Sequence, residues 1–149
     1  MDILNFNTEK VIDMNNMFAN CLALSSLDLS SFNTSNVINM EYMFSGCLSI
    51  NSLNISTFQT YNVTNMRNIF AYCSSLKNIN LSNFDTDSVE NMEFMFSNCK
   101  SLDYLDIYSF STQNVSNMRN MFESCIKLTS IKFNENIIYL IMILNFCFL

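Results

Sequence analysis

The chain has no histidine, no proline and one glycine among its 149 residues. Without imidazole it cannot assemble Ser-His-Asp or Cys-His catalysis, or the usual zinc ligand sets. With one glycine it has no glycine-rich phosphate loop. Without proline its turns must be built from Asn, Asp and Ser, whose side chains bond the local backbone and tolerate positive φ. Charge is also scarce, at 13% of residues, and acidic in balance, −6 with a pI near 4.3. The seven Lys and Arg form no patch, so no nucleic acid partner is expected. The start, Met1-Asp2-Ile3-Leu4, lacks the basic region and apolar run of a signal peptide. No pair of acids stands apart as an acid–base site. The protein is therefore expected to be no enzyme and to hold no cofactor and no metal.

Half of the residues are apolar, which excludes general disorder, and they recur every 26 positions. Phe6, Phe32, Phe58, Phe84 and Phe110 form one column, and Phe18, Phe44, Phe70, Phe96 and Phe122 another. The same spacing carries Thr8 through Thr112, Val11 through Val115, Met14 through Met118 and Cys21 through Cys125. A fixed period of about 20–50 residues is the signature of a solenoid, in which each repeat is one rung resting on its neighbours. Identical columns are then internal spines.

Within one rung, Leu53 and Ile55 alternate with polar residues and predict a short strand with those two side chains inward. Strands of successive rungs would pair in parallel about 4.8 Å apart. Val63, Met66, Ile69, Phe70 and Cys73 share one helical face, so about two turns of helix are expected there. Phe58 lies between the two, buried in a turn. The fold class expected is thus an α/β solenoid of 26-residue rungs, each a short parallel strand, a turn and a short helix. The column Asp13, Asn39, Asn65, Asn91 and Asn117 is expected to satisfy backbone groups at a bend, each side chain bonding the next rung. The Thr column has the same expected role. Met and Phe columns read as core, each buried side chain contributing about 1.5–3 kcal/mol. The Cys column reads as small thiols filling the helix–strand corner. Helix spacing of about 8–10 Å would forbid bridges between neighbours, whereas strand spacing would permit them. Cys147 lies outside the register.

The shared pattern Phe-x-Thr-x-x-Val-x-Asn-Met-x-x-Met-Phe-x-x-Cys-x-x-Leu-x-x-Leu-x-Leu-Ser resembles the BspA-type leucine-rich repeats of bacterial and protozoan surface proteins. Its 26-residue form is the one common in mycoplasma lipoproteins. The resemblance spans residues 1–134 and implies a right-handed leucine-rich-repeat-like stack at a cell surface or outside the cell, binding host or matrix proteins. Membrane attachment would come only through parts outside this chain. Met1 aligns with Leu27 in mid-repeat, so the array is expected to be a fragment, with self-association through uncapped ends. Residues 135–149 are almost wholly apolar and fit a cap, a relic of truncation or an anchor, although about 18–20 apolar residues are needed to span a bilayer.

Outward side chains of the strands are free to vary without disturbing the core. Tyr104 and Tyr108 around Asp106 form an amphipathic aromatic pair of the kind enriched at protein interfaces. With Asp28, Asn54 and Asn80 they are the candidate protein-binding residues, Asp28 and Asp106 supplying negative charge. Protein binding or adhesion is the expected function. An intracellular repeat scaffold and a truncated paralogue without function are the alternatives.

Overall fold

The computed structural model describes residues 6–135 and 137, so most of the apolar tail and Cys147 lie outside the described residues. The described residues form four three-residue strands: β1 (Ser26–Asp28), β2 (Ser52–Asn54), β3 (Tyr104–Asp106) and β4 (Ser130–Lys132). β1 pairs in parallel with β2 and β3 with β4, each residue opposite its equivalent 26 positions on. Leu53 is half-buried and Ile55 buried, so the inward alternation is as expected.

The expected continuous sheet is interrupted. Asn78-Ile79-Asn80 forms no strand, leaving two separate strand pairs among the described residues. Asn is depleted from strands, and here two flank the one apolar residue. A second file of contacts is unbroken: Asp13, Asn39, Asn65, Asn91 and Asn117 make successive parallel bridges. The repeats are therefore joined edge to edge along this second line even where the strands separate.

The expected helix is absent from every rung. The segment after each bridge is a chain of turns in which alternate amides point different ways. In the second rung Met40, Tyr42, Phe44 and Gly46 donate to the carbonyls of Asn65, Arg67, Ile69 and Ala71 on the next rung, at 2.8–3.0 Å. Between them Met43, Ser45 and Cys47 donate three residues back within their own rung, at 3.0–3.2 Å. Positive φ recurs every fourth residue, at Tyr42 and Gly46 here and at Asn68 and Tyr72 in the next rung. Each left-handed residue ends a turn before an i→i−4 ladder can start, at roughly 1–2 kcal/mol for a residue with a β-carbon. Gly46 escapes that cost.

Side chains of one column consequently lie over one another. Phe18, Phe44, Phe70, Phe96 and Phe122 form a continuous internal file, with successive ring centroids 5.4–5.7 Å apart and ring planes within 17°. This is offset stacking. Phe32, Phe58, Phe84 and Phe110 are all buried beside it, and Phe84 stacks on Phe110 at 6.5 Å.

The two polar columns behave differently from each other. Thr34, Thr60 and Thr86 are buried and clasp the next rung at both groups of one residue. The Thr60 hydroxyl donates to the Asp85 carbonyl at 2.7 Å and accepts from the Asp85 amide at 2.8 Å, and the same pair of bonds recurs at Thr8, Thr34 and Thr86. The Asn column does not reach the next rung in this way. Each side-chain oxygen accepts from the amide two residues later in its own rung, as from Glu41 to Asn39 and from Arg67 to Asn65. Its carbonyls join the rungs, accepting from the Met14, Met40, Met66 and Met92 amides at 2.8–3.0 Å, and the Asn65 side-chain amide also donates to the Glu41 carboxylate of the preceding rung at 3.2 Å.

The helix–strand corner expected for the thiols does not exist. Cys47, Cys73, Cys99 and Cys125 instead each donate from Sγ to the carbonyl of a Phe in the preceding rung, at 3.0–3.3 Å. All five column cysteines are free. Burial pushes the Cys47 and Cys125 thiols up to about 11, and Cys73 and Cys99 higher still.

Two outcomes follow from this packing. Thr60→Val keeps the shape but removes the partner of both the amide and the carbonyl of Asp85, so urea denaturation should show a loss of about 1–3 kcal/mol. Raised thiol values mean that the folded state holds protons the unfolded state has lost. That stabilisation is complete below the ordinary thiol value of 9.0 and is lost as pH rises through the folded values. The urea midpoint should therefore fall in alkali, and Cys73→Ala should flatten that fall.

Candidate functional site

The outward residue at the end of each strand belongs to the column Asp28, Asn54, Asn80, Asp106 and Lys132. The first four share a local task. Each accepts, through a side-chain oxygen, the amide two residues later: Ser30 at 2.9 Å, Ser56 at 3.2 Å, Ser82 at 3.0 Å and Tyr108 at 3.0 Å. These bonds close the turn that follows the strand. A turn-closing carboxylate still has its second oxygen free, and there the copies diverge.

At the first pair of strands, the Asn54 amide donates to Asp28 at 2.9 Å. The Asp28 carboxyl is held below the ordinary carboxylate value, first by the Ser30 amide. Among the described residues no cation pairs with its charge. At the second pair, the Lys132 ammonium donates to the Asp106 carboxylate at 2.9 Å and lies 5.3 Å from the centre of the Tyr108 ring. The negative charge expected of Asp106 is thus countered by a neighbour one period further on. Lys132 was not among the candidates, although its column position marks it.

Tyr104 and Tyr108 are both exposed, at 45% and 58%. Beside Tyr108 is a cavity of about 280 Å³, lined by Ile79, Asn80, Leu81, Asp106, Tyr108 and Lys132 among others. It opens where Asn78-Ile79-Asn80 leaves the ladder. The structure thus brings Asn80, Asp106 and Tyr108 to one notch, with Tyr104 on the same short strand. Asp28 and Asn54 are kept apart from them: three rungs separate Asp28 from Asp106, roughly 14 Å at strand spacing. Among the described residues no group of His, Cys, Asp and Glu could hold a metal ion, and no helix is long and apolar enough to cross a membrane.

The model of the family described as "Mycoplasma protein of unknown function, DUF285" matches residues 1–102 and again 49–138. The chain belongs to this family. No curated protein matches it. Among solved structures, a leucine-rich repeat protein from Bacteroides ovatus is similar at 18% identity, over 83% of this chain and 41% of that one, with a TM-score of 0.35. The chain spans less than half the length of that protein. So loose a superposition adds nothing to what the rungs themselves display.

The Asp106–Lys132 pair has two pH limits. Lys132 lowers the Asp106 carboxyl, and Asp106 raises the Lys132 ammonium. The pairing is complete above the ordinary carboxylate value of 3.8 and is lost as pH falls through the depressed one. At the other limit it is complete below 10.5 and is lost as pH rises through the raised ammonium value. A carbon-detected NMR titration should find the Asp106 carboxyl moving up towards 3.8 in Lys132→Met, while Asp28 is unchanged.

Proposed function

We propose that this family member is a leucine-rich-repeat-like solenoid of the BspA type that acts outside the cell or at its surface. It binds a protein ligand, from a host or an extracellular matrix, through the outward face of its strands. The reading needs no catalysis, cofactor, metal or nucleic acid. Membrane attachment would come from parts outside this chain, and the ends of the stack would permit self-association.

One observation carries the proposal: two exposed tyrosines flank an ion pair beside a notch on an otherwise short-chained polar face. Tyrosine has apolar area at low conformational cost, and a hydroxyl that stays bonded when the ring is covered. Elsewhere the strand faces carry Ser26, Ser30, Ser52 and Ser56, which expose little area to bury. The Asp106–Lys132 pair would fix the orientation of a partner more than its affinity. The repeat itself supports the architecture, since equivalent residues 26 apart are direct neighbours at both lines of contact.

Purified matrix and plasma proteins, immobilised singly and probed with this chain, provide the test. A ligand found this way should bind Tyr104→Ser/Tyr108→Ser at least tenfold more weakly, with the thermal unfolding midpoint unchanged. Unaltered binding by that double variant would remove the strand face from the interaction.

A further inference from the structure

A second groove lies away from the strand face. It is among the turns of the first three rungs, has a volume of about 560 Å³, and is lined by Leu22, Tyr42, Leu48 and Tyr72 over a floor at Gly46, with Asn20 and Ser45 at its wall. Its volume falls within the range of small-ligand sites. Leu22, Leu48 and Tyr72 are 54%, 42% and 49% exposed. We propose that this groove binds a neutral saccharide, its rings stacked on Tyr72 and its hydroxyls bonded by Asn20, Ser45 and the tyrosine hydroxyls.

Three observations point there. The lining has no charged side chain of its own, in a molecule of net charge −6, and the Arg67 guanidinium 5.6 Å from the centre of the Tyr42 ring is already paired with Glu41 and Glu93, so the ligand the groove complements is uncharged. It is also amphipathic in the way a sugar is. Flat aromatic and branched apolar surfaces suit C–H faces, which weak C–H contacts to a π-face favour, and amide and hydroxyl groups suit the equatorial oxygens. Those polar groups are uncommitted. The Asn20 amide, the Ser45 hydroxyl and the hydroxyls of Tyr42 and Tyr72 make no hydrogen bond among the described residues. By contrast Asn33, Asn39, Asn54, Asn65 and Asn80 all close turns.

The third observation is backbone strain. Tyr72 has φ 61° and Tyr42 φ 56°, in left-handed positions where a bulky residue is an outlier. The column of Tyr72 otherwise holds only small residues, Asn20, Gly46, Asn98 and Ser124, whereas that of Tyr42 holds Asn16, Asn68 and Asn120 but also Phe94, so Tyr72 is the departure. A costly tyrosine where Asn would serve the fold marks a position retained for something other than folding. Gly46 is in the same column as Tyr72, and its missing side chain keeps the groove open between rungs: a β-carbon there would collide with the Asn20 amide oxygen.

The chain has no tryptophan, so its emission reports tyrosine alone. Cello-, malto-, laminari- and chito-hexaose, each titrated separately into the whole chain, should include at least one that changes tyrosine emission saturably and gives heat in calorimetry. Tyr72→Asn should weaken that sugar at least tenfold while unfolding at the same temperature as the parent or higher, because Asn relieves the strain. Tyr61→Ser, outside the groove, should bind normally. Asn20→Ala, at an exposed position, gives a second reading should Tyr72→Asn fold poorly, and should weaken the sugar severalfold. Four silent titrations, or binding that survives both groove substitutions, would overturn the proposal.

Discussion

The structure rests on the alternation of backbone amides along the turn segment of each rung. One amide bonds along the stack and the next bonds within the rung. A helix would direct every amide along its own axis and leave nothing for the neighbouring repeat. Here roughly half of the donors reach the adjacent rung, so the repeats stay at near-strand spacing on a face that has no strands. The 5.4–5.7 Å file of Phe rings is a consequence: equivalent atoms cannot drift apart when their backbones are bonded. The inter-rung thiol bonds to Phe carbonyls depend on the same closeness.

This constraint also explains how the chain dispenses with proline and nearly with glycine. Of the ten left-handed positions, two per rung, Asn holds five, Gly one, and Tyr, Phe and Ser the other four. Asx bonds close the turn after each bridge and the turn after Asp28, Asn54, Asn80 and Asp106, so each polar side chain satisfies a local backbone amide. The Thr clasp adds what Asn cannot. A buried hydroxyl donates and accepts at once and can satisfy both groups of one residue across the rung boundary. Stability in such a stack is a sum of rung terms and neighbour terms. A defect at Thr60 therefore acts on the boundary it spans, whereas the opening of the sheet at Ile79 leaves the Asn65–Asn91–Asn117 line intact.

Much of this was legible in the sequence because a column of identical residues at one period has few physical meanings. The inward strand residues Leu27, Leu53 and Leu105 were readable from alternation, and the burial of Phe, Met, Val and Thr from their columns. The helix was not, because Val63, Met66, Ile69, Phe70 and Cys73 have the spacing of a helical face and also of a chain of three-residue turns. Asn at 16, 20, 68, 98 and 120 was the available signal, since two left-handed residues four apart exclude a helix. Of the site, the exposed tyrosine pair was legible from strand phase. The countering Lys132 sits in the same column as Asp106, yet an Asp-Asn column gave no reason to look for a cation. The groove was not legible at all: Tyr42 and Tyr72 look like ordinary surface residues until their backbone conformation is known.

Tyr72 and Lys132 have one thing in common: each breaks a column that the fold fills with something cheaper or more uniform. In a globular domain an unusual residue has many structural explanations, because every position has a different environment. In a stack of equivalent rungs the environment is nearly the same at each copy, so the other copies act as internal controls. Asn20, Gly46, Asn98 and Ser124 show what folding requires at position 72, and Asp28, Asn54 and Asn80 what it requires at 132. What remains after subtracting that requirement is an aromatic pair on one face and an aromatic groove on another. The two departures stand on separate surfaces of one backbone ladder, so either can change without disturbing the core that both share.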